Sequence, residues 1–141
     1  MTAPNLRLLD VLTTMAHQVV STLDADGCAI SRAIGDVLIL VAEHAPDGVS
    51  LQGGQGYLVS DFPETAAVLR TREPRALSLD DADIDPSEGR VLRDLGFGAL
   101  LMLPLELRGN AWGLVEVYRR ESHRPFDEAD IRLALELIRV T

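Results

Sequence analysis

The sequence predicts an α+β fold: one antiparallel sheet with the terminal helices on one face and short inserted helices on the other. Three observations carry that reading. Segments of helical periodicity stand at both ends of the chain and twice in its interior. The strand segments at 28–33 and 37–42, and those at 99–107 and 111–118, are joined by turns too short for crossover helices. Residues 37–42 and 99–107 are almost continuously apolar, which implies cover on both faces of the sheet. A length of 141 residues suits one domain over 1–141, and an apolar fraction of 47% can build its core.

The first helix is expected over 5–23. Leu8, Leu12, Met15 and Val19 recur at steps of four and three, and Leu9, Ala16, Val20 and Leu23 widen the stripe. A stripe that wide covers a sheet and still has surface for a second helix. Asp24-Ala-Asp-Gly27 stops it. Strands follow at 28–33 and 37–42, turning at Gly35-Asp36, before a polar loop. A short helix opens at Asp61, where Asp61 and Glu64 have capping-box spacing and Pro63 lies in the first turn. A strand at 75–79 and an acidic loop at 80–85 precede a second short helix. There Asp85-Pro86-Ser87-Glu88 offers an N-cap, a proline at N1 and a glutamate at N3, and Gly96 is the stop. The hairpin 99–107/111–118 turns at Gly109-Asn110, and Pro104 within it requires an edge or a bulge. The last helix opens at Asp127, with Phe126 and Ile131 spaced as a hydrophobic staple and Ile131, Leu135 and Ile138 as its stripe.

The net charge of −9 repels a phosphate backbone or an anionic bilayer, so neither nucleic acid nor membrane is an expected partner. All 13 cations are arginine. The opening Met1-Thr-Ala-Pro-Asn5 has neither the basic nor the apolar region of a signal peptide, and every apolar run is broken well short of the roughly 20 residues of a membrane span. One cysteine builds no internal disulfide and suits a reducing interior, so the cytoplasm is the expected compartment.

Motifs with chemistry are weak. Cys28 falls in a core strand and reads as a small buried hydrophobe before it reads as a reactive thiol. His17, His44 and His123 lack ligand spacing and read as three unrelated histidines, although a single axial histidine is enough for haem. Asp81-x-Asp83-x-Asp85 begins like a calcium loop, but Pro86 stands where such a loop needs glycine and Leu92 where it needs glutamate. Gly53-Gly54-Gln55-Gly56 lacks the Lys-Ser/Thr of a phosphate-binding P-loop. No nucleophile stands beside an activating base, so no catalytic residues are assigned and no enzyme activity is expected. Glu116, inside the apolar run Leu114-Val115-Glu116-Val117, lies either at an exposed edge or against a cavity with a partner.

Three segments together resemble the GAF domain family, over nearly the whole chain. They are Tyr57-Leu-Val-Ser-Asp61-Phe-Pro63 with Ala67-Val-Leu69 and Arg72-Glu73-Pro74; Leu92-Arg-Asp-Leu95-Gly96 leading into Ala99 to Pro104-Leu105; and Arg108-Gly109, Trp112-Gly113 to Val117-Tyr118 and Phe126-Asp-Glu-x-Asp130. A PAS-like domain is the nearest rival, but it seldom begins with so long a packed helix and lacks the Trp112-Gly113 hairpin pattern. The resemblance implies a GAF-like (profilin-like) fold, a cytoplasmic role in signal transduction and a ligand pocket between the sheet and the inserted helices. It places Tyr57, Asp61, Phe62, Arg70, Phe97, Met102 and Glu116 near that pocket. It further implies an unidentified small molecule as ligand and an output signalling protein or domain, and the wide stripe on the first helix adds the expectation of a homodimer through the first and last helices. Such domains usually accompany histidine kinases, cyclic-di-nucleotide enzymes, phosphatases or transcription regulators. Replacing Leu12 or Met15 by a charged residue is expected to dissociate the dimer. The alternatives are a ligandless association module and, further off, a haem or redox sensor. Family members that carry bilins hold their cysteine beside a histidine, and the cyclic-nucleotide signature requires a lysine; neither pattern is met here. No metal site is expected.

Overall fold

The structure, a computed structural model, describes residues 3–48, 51 and 57–139. Helix α1 spans Ala3–Leu23. Its periodic residues Leu12, Met15, Ala16, Val19, Val20 and Leu23 are all buried, so the stripe read from the sequence is the face that packs. Strands β1 (Gly27–Ile34) and β2 (Val37–His44) form the first hairpin. A two-residue strand β3 (Tyr57–Leu58) and a single 3-10 turn, Val59–Asp61, lead into α2 (Pro63–Thr71). Then come β4 (Arg75–Ser78), α3 (Pro86–Leu95), the hairpin β5 (Ala99–Leu107) and β6 (Asn110–Arg119), and α4 (Glu128–Leu137).

Every strand pairing is antiparallel, in the spatial order β3-β2-β1-β6-β5-β4. The sheet separates two apolar clusters. Cys28, Ile30, Leu101, Leu103, Val115 and Val117 meet α1 and α4 on one side. Ala29, Leu38, Leu100, Met102, Leu114 and Tyr118 meet residues of α2 and α3 on the other. The predicted α+β layering therefore holds, and the terminal and inserted helices take opposite faces. Among the described residues no helix is long and apolar enough to cross a membrane.

Local differences from the sequence reading have physical causes. The Asp61/Glu64 capping box does not form. Pro63 is the first helical residue, and the residue before a proline is restricted to extended backbone; Phe62 (φ −130°, ψ 93°) is therefore the N-cap and makes no side-chain cap bond. Glu64 instead pairs with Arg75 at 2.9 Å. The second hairpin turns at Arg108-Gly109, one residue earlier than expected, because a two-residue turn of the I′ kind needs positive φ at both central positions (53° and 79°). Pro104 is accommodated because β4 pairs only with Ala99 to Met102, leaving β5 locally an edge on that side. Cover over β2 is incomplete, for Ile39 is 43% exposed. Strand β3 was too short to be read from the sequence.

Asp85, Gly96 and the opening of α4 at Asp127 behave as read, and a capping box not read from the sequence secures the last of them. Asp85 accepts from the Ser87 and Glu88 N–H groups, Gly96 caps α3 in the left-handed region, and Asp127 and Asp130 form a reciprocal capping box. In the acidic loop Asp81 accepts from the Ser78 N–H, which is turn chemistry. Gly53, Gly54, Gln55 and Gly56 lie outside the described residues.

Candidate functional site

Strand β6 presents alternate residues to the two clusters. Leu114, Glu116 and Tyr118 face α2 and α3, whereas Val115, Val117 and Arg119 face α1 and α4. Glu116 is 4% exposed and lies between Ala29 of β1 and Met102 of β5 in register. The choice left open by its place in an apolar strand is thereby decided: it faces the interior beneath the inserted helices.

Its carboxylate is met by two phenols. Tyr57 donates to Oε1 at 3.0 Å and Tyr118 to Oε2 at 3.3 Å, and these are not its only interactions. Burial, followed by the Glu116 charge, pushes both phenols up from their ordinary range, so they remain protonated donors. Aromatic contacts extend the cluster. Phe62 meets Tyr57 edge to face at 5.1 Å, and Phe97 stacks on Tyr118 at 5.0 Å. Thus Tyr57, Phe62, Phe97, Met102 and Glu116 are brought together on one face. Asp61 and Arg70 are not; both are exposed.

Residues that sequence reasoning missed complete the site. Glu88, read as a cap, is 3% exposed and turns inward, where Oε1 accepts from the Thr65 hydroxyl at 2.8 Å and the Thr65 N–H at 3.3 Å. Thr65 Oγ1 also lies 3.4 Å from Met102 Sδ. Burial, with the nearby Asp85 and Glu64 charges, raises the Glu88 carboxyl more than Thr65 lowers it. Tyr118, two residues from Glu116, was legible as its neighbour on the same strand face. Glu43 on β2 belongs to this side as well: it pairs with Ala29 across the ladder and accepts from the Leu51 N–H at 2.9 Å.

The opposite face holds a different arrangement. Arg119, 2% exposed, donates to Asp130 at 3.0 and 3.4 Å and to the Leu23 carbonyl, and its guanidinium lies 4.3 Å over the Phe126 ring. One residue thus ties the end of β6 to the end of α1 and the start of α4. Cys28 is fully buried in this cluster, where burial pushes its thiol up from the ordinary range, away from thiolate chemistry. The histidines are not unrelated. His17 of α1 and His44 of β2 stack with ring centroids 3.7 Å apart, since the register sets His44 opposite Cys28 on the face that α1 covers. Desolvation and the neighbouring His17 lower the His44 imidazole. His123 Nδ1 lies 2.9 Å from Asp26. Among the described residues no group of three or more His, Cys, Asp or Glu side chains is arranged to hold a metal.

The model of the GAF domain family matches residues 7–139. No curated protein matches the chain. Among solved structures, the chain is similar to the blue-light-absorbing form of the PixJ GAF domain from Thermosynechococcus elongatus, at 20% identity over 98% of this chain and 84% of that one, with a TM-score of 0.80. It is similar to the phycocyanobilin-bound GAF domain of a cyanobacterial phytochrome (19% identity, 93% and 79% covered, TM-score 0.76). It is also similar to a GAF domain/HD domain protein from Geobacter sulfurreducens (15% identity, 92% and 86% covered, TM-score 0.75). At these identities the likeness speaks for the fold.

Proposed function

This chain belongs to the GAF domain family, and from that premise we propose that it is a regulatory module of cytoplasmic signal transduction that senses a small molecule and is not an enzyme. The observation that carries the reading is the buried polar cluster of Glu116, Tyr57 and Tyr118 beneath α2 and α3. An apolar core has no need of a carboxylate and two phenols, and keeping them there costs desolvation. The same strand then offers a route outward. Tyr118 touches the cluster, and its neighbour Arg119 holds both terminal helices, so a ligand that shifts β6 biases how α1 and α4 pack. A homodimer through those helices, coupled to an output protein or domain, completes the reading.

The solved relatives include bilin-bound domains. A covalent bilin is not the reading favoured here, because the chain's single cysteine is buried on the other face of the sheet. That burial also counts against a thiol-based redox sensor. A ligandless association module is the second reading, favoured by the exposed apolar residues Leu9, Val11 and Leu133 on the terminal helices.

Native mass spectrometry of freshly purified protein, set against its denatured mass, tests the first reading. An added small-molecule mass that denaturation removes is the expected result, and a Soret band would identify haem. A protein that repeatedly carries no added mass, and binds nothing from a metabolite extract, leaves the association module as the better reading.

A further inference from the structure

We infer that the stacked pair of His17 on α1 and His44 on β2 is a proton-sensitive joint, one that holds the first helix on the sheet while the rings are uncharged and loosens it in acid. The inference goes beyond the sensor reading and needs no ligand. Its input is the proton, and the responding element is a terminal helix.

The joint is made where one helix crosses one strand. β1 and β2 pair so that His44 lies opposite Cys28, on the face that α1 covers. The buried stripe of Leu12, Ala16, Val19 and Leu23 fixes the roll of α1 on that face. His17 flanks the stripe, and its ring meets that of His44 with centroids 3.7 Å apart and planes 25° apart. His17 is exposed and His44 half-buried, so solvent protons reach the pair. Stacked rings carry their in-plane nitrogens side by side and do not converge them on one point. Among the described residues no group of three or more ligating side chains is arranged to hold a metal. Charge is what the pair can sense.

Protonation proceeds in two coupled steps. One proton is tolerated, because an imidazolium over a neutral ring keeps a favourable contact of the cation–π kind. The second sets two like charges face to face, and their repulsion acts across the stack itself. His44 carries the penalty: its imidazole is lowered, by desolvation first and by the His17 charge second. The folded protein therefore binds its last proton more weakly than the unfolded chain does. Stability from the stack is full above the unfolded histidine value and is lost as pH falls through that value toward the lowered one.

The other charges around the pair have their own places. Asp10 of α1, and Asp24 just past its end, stand seven residues to either side of His17. On β1 the Cys28 thiol is pushed up by burial and stays neutral, and Arg32 lies over Trp112. On β2 Glu43 turns to the other face to accept from the Leu51 N–H, and beyond the strand Asp47 pairs with Arg120. α4 approaches α1 along Met15 and Leu137, where Arg7 and Arg139 line the groove. Arg119 pins the Leu23 carbonyl, so acid loosens the turns of α1 before that end.

Nuclear magnetic resonance of the labelled intact chain tests the joint, in the parent, His17→Gln and His44→Gln. Imidazole signals are followed from about pH 8 to about pH 5, across the ordinary histidine range. Amide exchange along 12–19, corrected for its intrinsic pH dependence, reports the opening of α1. In the parent, His44 is expected to titrate below the ordinary range, and its midpoint should rise in His17→Gln. Opening of α1 should increase about twofold or more on acidification of the parent and stay flat in both variants. Because His17 is exposed, His17→Gln keeps the test available should His44→Gln fail to fold. A His44 midpoint unmoved by His17→Gln, or the same pH dependence of α1 opening in parent and folded variants, overturns the inference. Neither result bears on the small-molecule reading, whose polar cluster lies on the other face of the sheet.

Discussion

Asp130 and Glu88 are both almost fully buried, on opposite faces of one sheet, and they are held in opposite ways. Burial alone would raise the Asp130 carboxyl. Hydrogen bonds from Arg124 and Arg119 and from the Asp127 N–H outweigh it and hold the group well below the usual carboxylate range. Glu88 has the neutral Thr65 donors and two negative neighbours, and its carboxyl is raised. The first face spends its polar groups on holding three elements together. On the second, Glu88 is met by neutral donors beside two negative neighbours, so its charge is offset less than that of Asp130.

The largest effect expected from breaking this contrast is at Arg119. Arg119→Met leaves Asp130 buried with half of its guanidinium support and the Leu23 carbonyl without its donor. Loss of one partner from a buried pair costs about 3–5 kcal/mol, and Arg119→Lys should recover little of it, because one ammonium cannot span Asp130 and Leu23 as the planar fork does. Urea unfolding measures the loss. A cost below about 1 kcal/mol would show that Arg124 alone holds Asp130.

A smaller effect of opposite sign is expected at Glu88. Its folded-state pKa is raised, so the neutral form is the one that stabilises; that contribution is present below the unfolded value and disappears as pH rises through the folded one. Asp130 runs the other way: its contribution is present above the unfolded carboxylate value and is lost as pH falls toward its depressed one. Glu88→Gln should therefore be more stable than the parent at pH 8 and indistinguishable from it near pH 4. Equal stability at both pH values, or a loss at pH 8, would mean that Glu88 is ionised in the folded protein and held by a cation.

How much of this was legible follows the range of the interaction. The helical stripe of α1, the cap at Asp85 and the opening of the last helix at Asp127 are local signals, set within four residues, and each is present as read; the Asp127/Asp130 capping box was not read. The Asp61 cap failed through an equally local rule, the restriction that Pro63 places on Phe62, which outranked the spacing match. The site is long-range. Glu116 announced itself as a charge in an apolar strand, but its partner Tyr57 is 59 residues away, and Glu88 looked like an ordinary N3 glutamate until α2 set Thr65 against it. The His17–His44 stack likewise depends on packing α1 across β2, which no spacing within the sequence encodes.

The smallest effect on stability, and the sharpest test of the terminal-helix face, lies one residue from a core position. Leu12 is wholly buried and Met15 is 4% exposed, so a charge at either would unfold the domain before it reported on association; the earlier expectation for those two residues does not separate the cases. Val11 is 43% exposed beside an open groove lined by Arg7, Asp10, Thr14, Gln18 and Leu137, and Leu133 on α4 is 41% exposed. Val11→Asp and Leu133→Asp should change monomer stability by less than about 0.5 kcal/mol, since neither side chain is in the core. If α1 and α4 pair two copies, sedimentation equilibrium will show both variants shifted to the monomer mass while the parent stays dimeric. A parent that is already monomeric at high concentration would remove the homodimer from the proposal. The Arg119 network would then bear on the packing of α1 against α4 within one chain, and the output would have to be read by a different partner.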